Sequence, residues 1–143
     1  MIQPIDKIYK FCAYQDRSVF ETKLKIRALK NPEINENDII ERLLADKFLD
    51  DNRFAQNFVH GKMNAKGWGV AKIKQGLILK GIPEHIIKEA LQEIDEIKYL
   101  DNLRKELDKW KKVNDLNYQT KPKLIRFLLS KGYSYDQIMN EIE

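Results

Sequence analysis

The adjacent carboxylates of Asp50 and Asp51 are the nearest approach in this chain to a catalytic constellation. A carboxylate pair could hold a metal ion and support the hydrolysis of a phosphodiester. The pair directly precedes an apolar helical pattern, however, and aspartate at that place caps a helix and complements its dipole. The recurrence of the first aspartate as Asp101 in a later repeat also favours capping. We therefore predict no metal site here.

Other signs of catalysis are missing from the sequence. The two histidines, His60 and His85, have no neighbouring cysteine or histidine at metal-ligand spacing, and no phosphate-binding glycine motif occurs. Cys12 is the single cysteine and lies in an apolar helical run, which fits a reducing compartment. No signal peptide or membrane span is recognisable. We predict a cytoplasmic protein that is not an enzyme and needs no cofactor.

Basic residues concentrate in three stretches without a single acid, at residues 22–32, 60–82 and 116–135. The net charge of +4 is modest, so the distribution of charge is more informative than its total. Basic helix faces at equivalent places could meet a phosphate backbone or an acidic protein surface. The candidate docking cations in the second and third stretches are Lys66, Lys72, Lys74, Lys80, Lys121, Lys123, Arg126 and Lys131.

Trp68 stands between two glycines and is flanked by Lys66 and Lys72. One interpretation places the indole on an interhelix loop, where it contacts a partner or a nucleic-acid base. The other has it packed on Phe58 or Leu77 in its own repeat, because a large aromatic side chain usually buries most of its surface. The sequence leaves both open.

The elements that position these residues are short helices arranged in repeats. Residues 48–53 recur as residues 99–104, and residues 72–91 recur as residues 123–142, each with an offset of 51 (99 − 48 and 123 − 72). Apolar residues follow helical periodicity in every segment, and no long stretch alternates with period two. We predict an all-α protein of about nine helices in three tandem three-helix repeats, forming a curved, elongated array. The predicted repeats are residues 1–49, 50–96 and 97–143.

Capping signals set the predicted helix boundaries. Serine followed three residues later by glutamate or glutamine opens two of the helices, at Ser18 and Ser134. A fainter first copy of the repeat has Asn31 and Pro32 where the others carry glycine, which predicts a helix end near Lys30. The remaining predictions are a third helix that presents Ile39, Leu43 and Leu44 to the core, and a helix capped by Thr120.

The run from Phe48 to Ala55, followed by Lys66-Gly67-Trp68-Gly69 and Lys80-Gly81-Ile82, resembles the RecX family of bacterial recombination regulators. The resemblance covers essentially the whole chain, since that family is built from tandem three-helix repeats. It implies a non-catalytic modulator that binds the RecA filament on DNA, in its deep helical groove. Strand exchange, ATP hydrolysis and co-protease activity would be suppressed, which would regulate DNA repair and the SOS response.

Under this resemblance the basic residues dock electrostatically on the RecA filament or on single- or double-stranded DNA, and Trp68 is a candidate anchor. We expect the protein to act as a monomer. The alternative is a DNA-binding regulator that acts without RecA and uses one repeat like a helix-turn-helix. That alternative is weakened by the scarcity of side chains for reading base edges, of which Gln75 is the main candidate.

Overall fold

The structure is a computed structural model that describes residues 3–143, so Met1 and Ile2 of the predicted first repeat lie outside the described residues. This part of the chain is all-α, as predicted, and has no strand. None of its helices is long and apolar enough to cross a membrane. The helices are α1 (Pro4–Tyr14), α2 (Val19–Ala28), α3 (Glu36–Ala45), α4 (Asp51–Lys66), α5 (Val70–Leu79), α6 (Glu84–Gln92), α7 (Glu96–Val113), α8 (Lys121–Ser130) and α9 (Tyr135–Ile142).

Most of these helices begin at a residue whose type favours a helix N-terminus. Ser18 and Ser134 each form the predicted capping box, in which the serine hydroxyl accepts from the third helical N–H and the side chain there accepts from the serine N–H. Asn35 caps α3 and Asp50 caps α4 in the same manner, with one side-chain oxygen accepting a backbone N–H. The N-cap of α5 is Gly69, which has no side chain to cap the helix, and backbone N–H groups at this helix start donate to carbonyls of the third repeat instead.

Two hydrophobic cores hold the helices together. The first repeat has its own core, made of Ile8, Cys12, Ile26, Ile39, Ile40, Leu43 and Leu49. The second and third repeats share one larger core, to which α4 through α9 all contribute. The nine described helices therefore form three triplets but two apolar units. We retain 1–49, 50–96 and 97–143 as the proposed repeat boundaries.

One prediction about the first repeat is wrong, and the predicted end of the second helix near Lys30 is confirmed to within two residues. Leu44 is 44% exposed, and Ile40 at 7% takes its place in the core, because Ile39, Ile40 and Leu43 share one helical face. Helix α2 ends at Ala28, and Lys30 then adopts a left-handed backbone with φ of 51°. Lys30 is the equivalent of Gly81 (81 − 51), so the left-handed turn is kept although the glycine is not.

The third repeat contains two further differences. Asp101 does not cap a helix, because α7 begins five residues earlier at Glu96 and is capped by Asp95. Its carboxylate instead accepts from Arg104 one turn later, at 3.0 Å. Thr120 stands at the start of α8, but its hydroxyl bonds the preceding loop rather than the helix. An offset of 51 therefore predicts which residues are equivalent, but not that they serve equal roles.

Candidate basic docking surface

The middle helices of the second and third repeats meet end to end. The backbone N–H of Gly69, just before α5, donates to the carbonyl of Lys131 at the end of α8, at 2.6 Å. The N–H of Ala71 donates to the carbonyl of Gly132 at 3.0 Å. The free donors of one helix start are thus satisfied by the free acceptors of another helix end, and the two helix dipoles follow one another favourably.

The middle helices of the first and second repeats are joined in the same order. Lys80, at the end of α5, places its Nζ 2.8 Å from Oε2 of Glu21 in the first turn of α2. Gly81 approaches Phe20 of α2 so closely that an added Cβ would lie 2.4 Å from the Cβ of Phe20. The end of α8 therefore lies next to the start of α5, and the end of α5 lies next to the start of α2. We call this series of three helices the basic track.

Each helix of the basic track has ten residues, which gives a length of about 15 Å per helix. Helices α5 and α8 carry no acidic residue in their first turn, unlike the other seven helices in residues 3–143. Lysines occupy these first turns instead, Lys72 in α5 and Lys121 and Lys123 in α8. Lysine there adds to the positive end of the helix dipole, which strengthens the positive potential along the track.

Four of the predicted docking residues have exposed side chains: Lys66, Lys74, Lys123 and Arg126. Lys66 ends α4, Lys74 lies on α5, and the other two lie on α8. Among residues 3–143, the side chains of Lys74, Lys123 and Arg126 form no ion pair or hydrogen bond. These three cations can bind an external anion without breaking an internal contact.

Three other predicted docking residues have internal partners. Lys80 pairs with Glu21, as described above. Its equivalent Lys131 donates to the carbonyl of Lys66 at 2.8 Å and lies 3.7 Å from the carboxylate of Glu106, which is 5% exposed. Lys121 stands 4.0 Å from a carboxylate oxygen of Glu143. Lys80 and Lys131 serve to join repeats in this structure, and their contact with a partner stays a prediction.

Trp68 packs within its own repeat and remains partly exposed. Its ring lies edge-on to Phe58, with centroids 6.3 Å apart, which is the contact that the packing interpretation gives. Two ammonium groups flank the indole: Nζ of Lys72 at 4.6 Å and Nζ of Lys62 at 4.9 Å from the ring. Such cation–π contacts hold the lysines beside the ring. Our list of docking residues omits Lys62, although its position four residues before Lys66 places both on one helical face.

The adjacent carboxylates of Asp50 and Asp51 each accept a hydrogen bond from a backbone N–H at the start of a helix. Asp50 Oδ1 accepts from the N–H of Arg53 at 3.1 Å, and Asp51 Oδ1 accepts from the N–H of Val19, in α2, at 2.9 Å. Burial raises the pKa of Asp51, and the hydrogen bond from Val19 opposes that rise. No group of three or more histidine, cysteine or acidic side chains within residues 3–143 could hold a metal ion. Both carboxylates therefore have a structural explanation.

Two family models match this chain. The model of the second three-helix domain of RecX matches residues 50–91, and the model of the third three-helix domain of RecX matches residues 97–140. The chain belongs to the RecX family. The structure contains tandem groups of three helices, and each of the two family models likewise describes a three-helix domain.

Similar proteins carry the name of the family. A regulatory protein RecX of Clostridium botulinum (strain Eklund 17B) is 36% identical over 108 residues, covering 73% of this chain and 50% of that protein. A regulatory protein RecX of Clostridium tetani is 35% identical over 138 residues, covering 94% of this chain and 60% of that protein. The chain thus spans about half the length of the curated relatives it matches. By family it is a regulatory protein.

Solved structures support the same fold. The crystal structure of RecX from Lactobacillus salivarius has a TM-score of 0.79 and 28% identity, covering 96% of this chain and 94% of that one. A second crystal structure of a regulatory protein RecX has the same TM-score at 24% identity, covering 95% of this chain and 71% of that one, and shows likeness of fold. The all-α repeat array of this RecX-family chain is therefore shared with its structural neighbours.

Proposed function

We propose that this chain regulates RecA by docking its basic track on the RecA filament formed on DNA. Docking would lower strand exchange, ATP hydrolysis and co-protease activity of RecA, and thereby restrain DNA repair. The proposal is supported by the RecX resemblance and family membership. On the structural side it rests on one observation, the contacts that join the basic helices α8, α5 and α2 in series at their ends.

The length of the track suits an extended polyanionic partner. Three helices of about 15 Å each offer roughly 45 Å of helix in total to such a partner. Lys74, Lys123 and Arg126 would make the direct contacts, because their side chains are exposed and form no internal ion pair in the described residues. Trp68, flanked by Lys62 and Lys72, would supply an aromatic contact beside them. Binding of this kind weakens as salt rises, since counterions are released from the anion.

The direct test is the ATPase activity of RecA on single-stranded DNA, titrated with this protein. A triple variant with Lys74→Glu, Lys123→Glu and Arg126→Glu should need at least about tenfold more protein for half inhibition, because three contacts turn from attraction to repulsion. Its melting temperature should stay within a few degrees of wild type, since exposed substitutions away from structural contacts change stability little.

A matched control has the same change of charge away from the track. Lys10, Lys88 and Lys98 are exposed lysines of α1, α6 and α7, and their joint replacement by glutamate should leave inhibition within about twofold of wild type. Equal loss in both triple variants would mean that net charge, and not the track, governs docking.

Other outcomes of the titration discriminate between modes of action. Inhibition far below one protein per RecA would indicate capping of filament ends, whereas inhibition near equal amounts would indicate coating of the groove. No inhibition at any ratio, combined with sequence-selective binding to DNA that depends on Gln75, would favour the regulator that acts without RecA. Gln75 is exposed on α5, where it could reach a base edge.

A further inference from the structure

Tyr118 lies in the loop between α7 and α8 and is 94% exposed, the largest value among the exposed large hydrophobic side chains of the described residues. The loop leads directly into α8, so the tyrosine stands at the beginning of the basic track. At this exposure the ring buries almost none of its apolar surface, so it adds little hydrophobic stabilisation to the fold. Folding of the repeat therefore does not explain a tyrosine at this position.

Hydrogen bonds within the loop order the backbone around Tyr118. Asn117 Oδ1 accepts from the N–H groups of Gln119 at 2.9 Å and Thr120 at 3.1 Å, which fixes the backbone after Tyr118. The N–H of Asn117 donates to Oγ1 of Thr120 at 2.9 Å, which closes the loop from the other side. Leu116 anchors the loop by packing on the shared core. The backbone that carries Tyr118 is thus ordered before any partner binds, which lowers the entropy cost of binding.

Both helix ends next to the loop are basic. Residues 109–123 contain five lysines and one acid, Asp115. Lys111 and Lys112 lie in the last turn of α7, and Lys121 and Lys123 in the first turn of α8. An exposed aromatic ring between two groups of lysines combines the two features that bind single-stranded nucleic acid, since the lysines contact phosphates and the ring stacks on a base.

We propose that Tyr118 stacks on an unpaired base of single-stranded DNA whose phosphates continue along the basic track. This rests on the proposed function, because it deepens the DNA contact suggested for the same track. The partner is nucleic acid rather than protein because the neighbours of Tyr118 are polar, namely Asn117, Gln119 and Thr120. The buried core of a protein–protein interface, by contrast, is apolar and poor in charged residues. Single strands are preferred to duplex because only unpaired bases expose a face for stacking.

The test measures binding of a fluorescent oligo(dT) of about 20 nucleotides by anisotropy, at about 50 mM salt. Tyr118→Ala should weaken binding about five- to tenfold, and Tyr118→Phe, which keeps the ring, should stay within about twofold of wild type. Tyr14 is a matched control, since it is 82% exposed at the end of α1, away from the track's lysines at α8. Tyr14→Ala should bind as wild type does.

A duplex of the same length completes the design. Tyr118→Ala should change duplex affinity by less than about twofold, because stacking is not available there. Equal losses on both DNAs, or no loss on either, would overturn the stacking site. Loss of RecA ATPase inhibition by Tyr118→Ala with unchanged DNA affinity would also overturn it and assign the ring to a protein contact.

Failure of the two proposals is distinguishable. Wild-type protein that inhibits RecA but does not bind oligo(dT) would contradict the stacking site and leave the proposed function intact. Wild-type protein that binds oligo(dT) through Tyr118 but does not inhibit RecA would contradict the proposed function and leave the stacking site intact. The melting temperature of each variant should match wild type, because Tyr118 is almost fully exposed.

Discussion

Lys80 with Gly81 and Lys131 with Gly132 occupy equivalent positions 51 residues apart (131 − 80), one pair at each joint between repeats. Both glycines adopt positive φ, 71° and 105°, and both press against the preceding repeat. Gly132 lies against the backbone of Gly69, whereas Gly81 lies against the side chain of a partly exposed phenylalanine. The same turn therefore makes a backbone contact at one joint and a side-chain contact at the other.

The other contacts at the two joints between repeats also differ. Between the second and third repeats, Tyr133 donates to the carbonyl of Gly67 at 2.8 Å, Val70 donates to the hydroxyl of Tyr99 at 2.8 Å, and one core continues across. Between the first and second repeats the contacts are polar and partly exposed, for example Arg53 with Asp16 at 3.3 Å. Exposed ion pairs exchange for water at little cost. We therefore expect the second and third repeats to unfold as one unit and the first to separate more readily.

The sharpest comparison replaces each turn glycine by alanine. Gly132→Ala should lower the free energy of unfolding by about 3 kcal/mol or more, because a Cβ would meet backbone and Cβ atoms of the second repeat at 2.7 Å and the φ is unfavourable. Gly81→Ala should cost about 1–2 kcal/mol, mainly from backbone strain, since the first repeat can shift away. Urea unfolding of both variants measures the difference. Equal costs would mean that the two joints are equally rigid.

The next largest loss of stability should come from replacing one of the equivalent lysines, Lys80 and Lys131. Lys131→Met should cost about 2 kcal/mol, because it leaves the carboxylate of Glu106 buried and paired with Lys109 alone. Lys80→Met should cost at most about 1 kcal/mol, since its partner Glu21 keeps access to water. Thermal unfolding at low and high salt distinguishes the two variants. The destabilisation caused by Lys80→Met should shrink with rising salt more than the destabilisation caused by Lys131→Met. The reverse order of cost would contradict the contrast between joints.

Tyr133 tests a single hydrogen bond within the more rigid joint. Tyr133→Phe should cost about 1–2 kcal/mol, because the buried carbonyl of Gly67 loses its donor while the ring still fills its place. Tyr135, which is exposed at the start of α9, is the control, and Tyr135→Phe should change stability by less than about 0.5 kcal/mol. Hydrogen exchange at Gly69 and Ala71 should also speed up in the Tyr133 variant, since their donor bonds belong to the same joint. Unchanged exchange there would show that the bonds act independently.

Sequence reasoning predicted the local features well because their causes lie within a few residues. Capping boxes at Ser18 and Ser134 depend on residues three apart, and the apolar face of each helix depends on helical periodicity. The repeat offset located the turn that joins neighbouring repeats, and at Lys30 the left-handed turn persists without its glycine. In the first copy no preceding repeat presses on that turn in the described structure, so a side chain fits there.

Contacts between repeats could not be predicted from the sequence because equivalent residues have different partners in the structure. Arg53 reaches back to Asp16 of the first repeat, whereas its equivalent Arg104 forms a two-pronged pair with Glu141 inside the third repeat, at 2.9 and 3.1 Å. Which partner is chosen depends on the spatial neighbour and not on the local pattern. For the same reason the joining role of Lys80 and Lys131 could not be predicted from their charge.

Substitution of Asp51 should give the smallest change in stability, and it tests the joint between the first and second repeats. Asp51→Ala removes the acceptor for the N–H of Val19 at the start of α2 and should cost about 1 kcal/mol. Asp51→Asn keeps a side-chain oxygen in that place and removes the buried charge. It should therefore be at least as stable as wild type at neutral pH. The comparison of the two variants separates the hydrogen bond from the charge.

The pH dependence follows from the direction of the pKa shift. Burial raises the pKa of Asp51 in the folded protein, so the folded state binds its proton more tightly than the unfolded state does. The contribution of this carboxyl to wild-type stability is then fully present below its ordinary pKa and is lost as pH rises through the raised value. Asparagine does not titrate, so the advantage of Asp51→Asn should grow between about pH 3.5 and about pH 7. Urea unfolding of wild type and Asp51→Asn at these two pH values measures the difference in their free energies of unfolding. An advantage of the variant that shrinks towards neutral pH would mean that the Val19 hydrogen bond outweighs the effect of burial on the Asp51 carboxylate.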